Sequence, residues 1–277
     1  MNGVLHRKWL LAGLIVVVLV AGVVLVLRSS QAPTSGTSSC RLATPGSAEP
    51  VGGTSGIEVV EQGHSRVVGE TPWVSMGAVL RNTTGRVAYR TEVTLDALGA
   101  DGRAVIWADH EVAETQVVPV IPPGGSVAVG NSLALSEEFQ DGRISVRVTI
   151  RIGQWLDAGD GADGLGGVKA TLVAGSGKRS SDGLGSVAYL AESPHCAAMT
   201  SRGVAMVFRS DTGKIVGGTL NNGPELYVCE PGRHEVTSAN TGQPGVPADA
   251  DLDRTAITVY CDFDRPRHPP VSGAPYN

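Results

Sequence analysis

The sequence predicts an all-β protein in which one or two antiparallel β-sandwiches follow a single N-terminal transmembrane helix. Residues 9–27 form an uninterrupted apolar run, whereas the later chain alternates apolar and polar residues in short stretches, as half-buried strands do. Turn-forming residues separate those stretches, and glycine and proline supply 37 and 16 of the 277 residues. After residue 27 the apolar residues show no helical period.

The composition limits the classes of function that the chain can serve. It has 22 basic and 27 acidic side chains, which give a formal net charge of −5. A nucleic-acid-binding protein needs a surplus of lysine and arginine for its phosphate contacts, so this charge excludes that class. The apolar fraction of 42% is that of a folded protein, and it excludes a chain that is disordered throughout.

Residues 9–27 predict an uncleaved membrane anchor. As a helix this run is roughly 28 Å long, close to the hydrocarbon thickness of about 30 Å. Arg7 and Lys8 precede it, so the positive-inside rule places residues 1–8 in the cytoplasm and the rest of the chain outside. We therefore expect a single-pass protein of the plasma membrane whose span contacts lipid. The alternative is a cleaved signal peptide, but its apolar part has only about 7–15 residues.

Residues 28–56 predict a flexible linker between the anchor and the folded part. The segment consists mostly of Ser, Thr, Gly, Pro and Ala, which bury too little apolar surface to offset the entropy of ordering. As a coil it spans on the order of 30 Å, so the folded part is expected to work close to the membrane. Residues 265–277 are predicted to be a disordered tail.

Export makes disulfides the expected state of the four cysteines, Cys40, Cys196, Cys229 and Cys261. A zinc site would need closely spaced ligand pairs such as C-x2-C, which the sequence lacks. Cys261 falls on the inward face of a predicted strand. We favour a Cys196–Cys229 disulfide, with Cys40 bonded either to Cys261 or to a second chain, which would make a homodimer.

Strict alternation marks three strands in the exported part. Every second residue from Tyr89 to Ala97 is apolar except Thr91, and every second residue is apolar from Ile144 to Ile152 and over residues 257–263. Regular short strands separated by turns are typical of antiparallel β-sandwiches.

The second half of the exported part repeats a pattern of the first half. The stretch VTLDALGADGR, which begins at Val93, matches VAMVFRSDTGK, which begins at Val204, at an offset of 111 residues. This match predicts a tandem duplication, although strand-turn-strand sequences can also converge. The predicted domains are a β-sandwich at 57–154, a Gly-rich inter-domain segment at 155–184 and a second β-sandwich with cysteines at 185–264.

The first unit has a recognisable order of elements. A strand with the sequence GAVLRNTT, from Gly77, leads into a long strand, Val87 to Leu98, and then an Asp101-Gly102 hairpin and a Pro123-Gly124 turn. This order resembles the FxLYD type of immunoglobulin-like module found on bacterial envelope proteins. The resemblance covers about residues 57–152 and, more faintly, 185–264.

The resemblance implies an immunoglobulin-like sandwich and no catalytic residues. The literal motif is absent from both units. Its positions would fall on Leu95, Ala97, Leu98 and Gly99 in the first unit and on Met206, Phe208, Arg209 and Ser210 in the second.

Two acidic clusters are weak candidates for calcium. Asp249, Asp251 and Asp253 have the D-x-D-x-D spacing of a calcium loop. However, Arg254 stands where the loop needs its sharp-turn glycine, and Tyr260 stands where it needs its final glutamate. The second cluster, in a Gly-rich segment, comprises Asp157, Asp160 and Asp163. We interpret both clusters as solvated loops and predict no metal and no cofactor.

Patterns for catalysis and nucleotide binding are absent or incomplete. The sequence has no G-x-S-x-G, and its histidines form no H-E-x-x-H arrangement. The stretch at 175–180 lacks the first glycine and the final Ser or Thr of a phosphate loop. These observations predict that the chain is not an enzyme. We interpret the scattered histidines as loop or surface residues: His64, His110, His195, His234 and His268.

Three arginines lie on the outward face of one predicted strand: Arg143, Arg147 and Arg151. Glu92 and Asp96 lie outward on another strand of the same unit. We interpret them as cross-strand charge pairs on a solvated face. Each pair would add roughly a few tenths of a kcal/mol to the stability of the fold. The functional alternative is a basic stripe that binds anionic envelope polymers or lipid headgroups.

These features together predict a single-pass membrane protein that presents extracytoplasmic β-sandwiches as binding or scaffolding modules at the cell envelope. Its partner would be another envelope protein or a wall polymer. One alternative is a secreted or anchored hydrolase whose site the sequence does not reveal. Another is a structural accessory of an envelope or secretion complex, for which the anchor itself would matter.

Overall fold

Antiparallel β-strands make up the regular structure of the residues that the structure describes. The computed structural model describes residues 56–69, 71–106, 115–136, 139, 142–157, 165–180, 184–222, 228–239 and 245–266. Every regular element in these ranges is a β-strand, which confirms the all-β prediction. None of these residues belongs to a helix that is long and apolar enough to cross a membrane. The predicted cytoplasmic residues 1–8, the predicted span 9–27 and most of the predicted linker and tail lie outside the described residues.

Two sheets form the first half of the described structure. Their strands are β1 (Ile57–Val67), β2 (Trp73–Asn82), β3 (Val87–Leu98), β4 (Thr115–Ile121), β5 (Ser126–Ala134), β6 (Ser145–Arg151) and β7 (Gln154–Leu156). Sheet 1 has the order β1-β2-β5, and sheet 2 has the order β4-β3-β6, with β7 also paired to β3. Alternate apolar residues of the two sheets, such as Met76 and Leu95, pack into one core and make the first sandwich.

Two further sheets form the second half. Their strands are β8 (Lys169–Leu172), β9 (Lys178–Arg179), β10 (Gly185–Ser193), β11 (Met199–Ser210), β12 (Ile215–Asn221), β13 (Gly232–Ala239) and β14 (Ala250–Pro266). Sheet 3 has the order β13-β10-β8, with β9 also paired to β10, and sheet 4 has the order β12-β11-β14. Apolar side chains of β10 and β11 pack together in this second sandwich. Strands β8 and β9 arise from the stretch expected to separate the sandwiches.

The two sandwiches have the same connectivity. In the second sandwich β8 and β9 both pair with β10, and we count them as one strand. The first, second and fifth strands of each sandwich then form one sheet, and the third strand is central in the other. The hairpins after β3 and β11 also match, at the same offset of 111 residues as the sequence. Gly102 N–H donates to Gly99 O at 3.0 Å, and Gly213 N–H donates to Ser210 O at 2.9 Å. Both turn glycines have positive φ angles, of 78° and 84°, which glycine adopts at little cost.

A row of glycines joins the sandwiches. Gly63, Gly77 and Gly130 are paired in register straight across sheet 1. Gly217 and Gly218 of β12 in sheet 4 lie against this row. A Cβ added at Gly130 would lie only 2.6 Å from Thr219 N, and one added at Gly218 only 2.6 Å from Met76 O. The backbones of sheets 1 and 4 therefore approach too closely for side chains along this row.

We expect Gly130→Ala to destabilise the protein, because the new methyl group meets backbone atoms of Met206, Gly218 and Thr219. Overpacking of this kind costs typically 1–3 kcal/mol, against roughly 0.5–1 kcal/mol gained when alanine replaces glycine in open space. The measurement is urea unfolding of the oxidised protein. Gly85→Ala is the matched control, since nothing lies within 4 Å of its added Cβ. Equal unfolding midpoints for the two variants would contradict the close approach.

Candidate functional site

The described structure contains a buried disulfide in the second sandwich. It joins Cys229, just before β13, to Cys261 of β14, with Cα atoms 5.7 Å apart. The predicted Cys196–Cys229 pairing is therefore wrong, and so is the option of a Cys40–Cys261 bond. Cys261 does face inward as expected, and the fold brings Cys229 to that same face. Cys196 is exposed and is also disulfide-bonded, while Cys40 lies outside the described residues.

The carboxylates of the weak calcium candidates serve local structure. Asp251 accepts the N–H of Asp253 at 3.1 Å and pairs with Arg254 at 3.1 Å. Asp253 accepts the N–H of Gly177 at 3.2 Å, and Asp249 is exposed in the turn before β14. No group of three metal-ligating side chains occurs in the part of the chain that the structure describes.

The second acidic cluster is described at one position only. Asp157 forms an ion pair with Arg86 at 2.7 Å. Asp160 and Asp163 lie outside the described residues.

The arginines of β6 pair across the sheet, as the sequence predicts. Arg147 lies opposite Asp96 at 2.8 Å, and Arg151 lies opposite Glu92 at 3.4 Å. Arg143 is exposed just before the strand. Two of the three arginines thus have acidic partners, which leaves little unbalanced positive charge on this face. Exposed pairs of this kind contribute about 0–1 kcal/mol each.

Each described histidine bonds a backbone carbonyl. The Nε2 atoms of His64, His195 and His234 lie 3.0, 2.6 and 2.9 Å from carbonyl oxygens. Burial lowers the pKa of His195, and the carbonyl of Gly166 partly offsets this. These bonds do not connect a histidine to a nucleophile or a carboxylate, which general-base catalysis requires. His110 and His268 lie outside the described residues.

A buried polar network connects the sandwiches beside the glycine row. The hydroxyl of Tyr260 donates to Gln116 Oε1 at 2.9 Å and lies 3.0 Å from Ala128 O. Gln116 Nε2 in turn donates to Gly130 O at 3.1 Å. Burial raises the pKa of the Tyr260 hydroxyl, so it is held as a neutral donor. By alternation Tyr260 falls on the face of β14 opposite to Cys261, and the structure places it in the first core.

An ion pair also joins the two sandwiches, at the edge of their interface. Arg209 of β11 donates to both carboxylate oxygens of Glu61 in β1, at 2.6 and 3.1 Å. Arg209 also donates to Gly213 O at 2.7 Å, which fixes its side chain on the hairpin. The hydrogen bond from Arg209 lowers the pKa of Glu61, and burial opposes part of the shift. Neither residue was singled out for a role from the sequence, because nothing in either local pattern reveals the other.

Several outer strands have their edges covered by side chains. Gln62, His64 and Arg66 of β1 bond backbone carbonyls on and next to β6. Ser75 Oγ bonds both the N–H and the carbonyl of Gly218 in β12. Strand β13 is also outermost in its sheet, and within the described residues no second strand pairs with it. An uncovered edge is the usual place for strand addition, so β13 is the candidate contact surface.

One small recess lies in the second sandwich. A recess of about 150 Å³ is lined by residues of β10, β11 and β14, among them Val187, Phe208 and Leu252. It is smaller than the roughly 300–1,000 Å³ of most small-molecule sites.

No protein-family model matches the chain, and no curated protein matches it either.

We expect Glu61→Gln to remove a pH-dependent contribution to stability. The lowered pKa of Glu61 stabilises the fold above its ordinary value of 4.5, and this contribution is lost as the pH falls through the lowered pKa. Glu61 is 45% exposed, so the expected loss at pH 7 is only about 0.5–1 kcal/mol. The measurement is urea unfolding at neutral and acidic pH. Glu58→Gln, at an exposed position of the same strand, is the control and should leave the profile unchanged.

Proposed function

We propose that this chain is a single-pass membrane protein that presents two joined immunoglobulin-like sandwiches outside the cell, where they bind or scaffold another envelope component. The observation that carries the proposal is the buried Cys229–Cys261 disulfide, in a chain that also has the apolar run 9–27. Such bonds persist in oxidising compartments and are rare in the cytoplasm. Export through the apolar run would place these cysteines in the oxidising compartment.

The strand order supports the immunoglobulin-like assignment. Packing β1-β2-β5 against β4-β3-β6 resembles the A-B-E and C′-C-F arrangement of that fold. The Asp101-Gly102 hairpin after β3 and the Pro123-Gly124 turn before β5 support the resemblance to FxLYD modules. We extend the proposal to the second sandwich because its connectivity is the same.

The polar groups of the described structure favour binding over catalysis. Gln116, Tyr260 and Ser75 hold backbone groups of the fold itself, and the described histidines bond carbonyl oxygens. A contact surface needs only exposed backbone or side chains, which β13 offers. The partner we propose is an envelope protein that supplies an extended segment to this strand.

The topology is tested with reporters fused to the C-terminus. Alkaline phosphatase is active only outside the cytoplasm, so that fusion should be active, whereas deletion of residues 9–27 should abolish the activity. The same deletion should leave Cys229 and Cys261 as thiols that react with a maleimide after unfolding. An active fusion without residues 9–27, or thiols at both cysteines in the full chain, would contradict the proposal.

The contact surface is tested with a photo-crosslinking residue in living cells. Glu235 is exposed on β13, and Thr149 is exposed on the charged face of β6, which makes it the matched control. We expect a specific crosslinked product from position 235 and not from 149, and we expect it to persist when an unrelated span replaces residues 9–27. Loss of the product with the foreign span would favour the accessory role that depends on the anchor.

A further inference from the structure

Strand β13 lacks the edge cover that its counterpart in the first sandwich has. In the shared connectivity β13 corresponds to β5, since each is the fifth strand and pairs with the second. The backbone of β5 is bonded by side chains of other strands: Gln116 Nε2 donates to Gly130 O, and Thr258 Oγ1 accepts the N–H of Ala128. Among the described residues, no side chain of another strand bonds the backbone of residues 232–239.

Strand β13 is also regular enough to accept a further strand. Its eight residues pair with β10 in one unbroken register, from Gly232 opposite Ser193 to Ala239 opposite Ser186. The strand contains no proline, no lysine and no bulge, which are features that commonly stop one sheet edge from pairing with another. Strand β1, at the edge of sheet 1, does have a bulge, between Val59 and Glu61.

Two opposite charges lie close together on the outer face of β13. Arg233 and Glu235 are both exposed, and because they are two residues apart they point to the same face of sheet 3. Arg233 lies 3.4 Å from Glu192 of β10, whereas Glu235 lies opposite Leu190 and has no ionic partner among the residues that the structure describes. The strand therefore presents an unpaired carboxylate beside a guanidinium that can donate further hydrogen bonds.

We propose that two copies of this chain join edge to edge, β13 against β13, in antiparallel order about a two-fold axis through His234. The inference rests on the proposed function and names the partner at β13 as a second copy. About this axis Arg233 of each copy lies opposite Glu235 of the other, which forms two ion pairs. An axis through Arg233 or Glu235 would set like charges opposite each other, and one through Val236 or Thr237 would leave both charges unpaired. Charge thus selects a single register.

The pairing joins sheet 3 of both copies into one sheet with the order β8-β10-β13-β13-β10-β8. Residues 232–236 of each copy form the new ladder, which is about the usual length of a strand. The contact is isologous, because each copy contributes the same residues. A ladder this short holds two free proteins weakly, but attachment to one membrane raises the effective concentration of each copy for the other.

The identity of the partner is tested in living cells that express the full chain with two different epitope tags. A photo-crosslinking residue replaces the exposed Thr237, which lies opposite Pro231 of the other copy in this register. We expect a product of twice the chain mass that carries both tags, and none from Thr149 on β6. A product with a protein of another mass would overturn the second copy as partner and leave the contact surface standing. The lack of any product from β13 would overturn the contact surface itself.

The register is tested by reversing the charges in the chain with the crosslinker at position 237. Arg233→Glu or Glu235→Arg alone should weaken association about tenfold, because two ion pairs become two repulsive pairs. Both reversals in one chain should restore the product, since opposite charges then face each other again.

Arg147→Glu is the matched control for these reversals, because it breaks a cross-strand ion pair of sheet 2 and should leave the product unchanged. A product that survives either single reversal at β13 would overturn the register. A product that the double reversal fails to restore would overturn the two-fold pairing, because a different partner strand would not carry the compensating charge.

Discussion

The row of glycines across sheet 1 is the constraint on which the described structure depends. Face-to-face sheets normally lie about 10 Å apart because side chains fill the space between them. Gly63, Gly77 and Gly130 remove those side chains along one line, and Gly217 and Gly218 do the same on the facing strand β12. Sheets 1 and 4 therefore meet nearly backbone to backbone, and each is covered on both faces. The two sandwiches thereby become one continuous body.

This close contact explains why the buried polar groups lie where they do. Strand β5 is at the edge of sheet 1 but is buried in the body, so its outward backbone groups need partners. Thr258 Oγ1 accepts the N–H of Ala128, and the hydroxyl of Tyr260, which donates to Gln116, lies 3.0 Å from the carbonyl oxygen of Ala128. Gln116 Nε2 likewise donates to the carbonyl oxygen of Gly130. Buried polar groups left unpaired would each cost roughly 1–3 kcal/mol, so these side chains are part of the joint.

Local patterns predicted the strands but not the joint between the sandwiches. Alternation identified β3, β6 and β14, and it placed the arginines of β6 and the acidic residues of β3 on outward faces. The structure then pairs Arg147 with Asp96. The inward face of β14 was also predictable, but the burial of its opposite face was not. Tyr260 is polar by pattern and is buried only because another sandwich lies against it. The predicted disulfide pairing was wrong for the same reason, because the pairing depends on which distant segments of the chain lie together.

One signal in the sequence could have revealed the joint. Gly77 and Gly130 stand inside apolar strands, where glycine weakens a strand unless another backbone approaches closely. Two such glycines in separate strands, followed by the Gly217-Gly218 pair in a third, indicate a contact between backbones and not a set of turns. A joint of this kind leaves little freedom between the sandwiches, so a partner at β13 would meet a surface already fixed relative to the rest of the body. Such preorganisation lowers the entropy cost of binding.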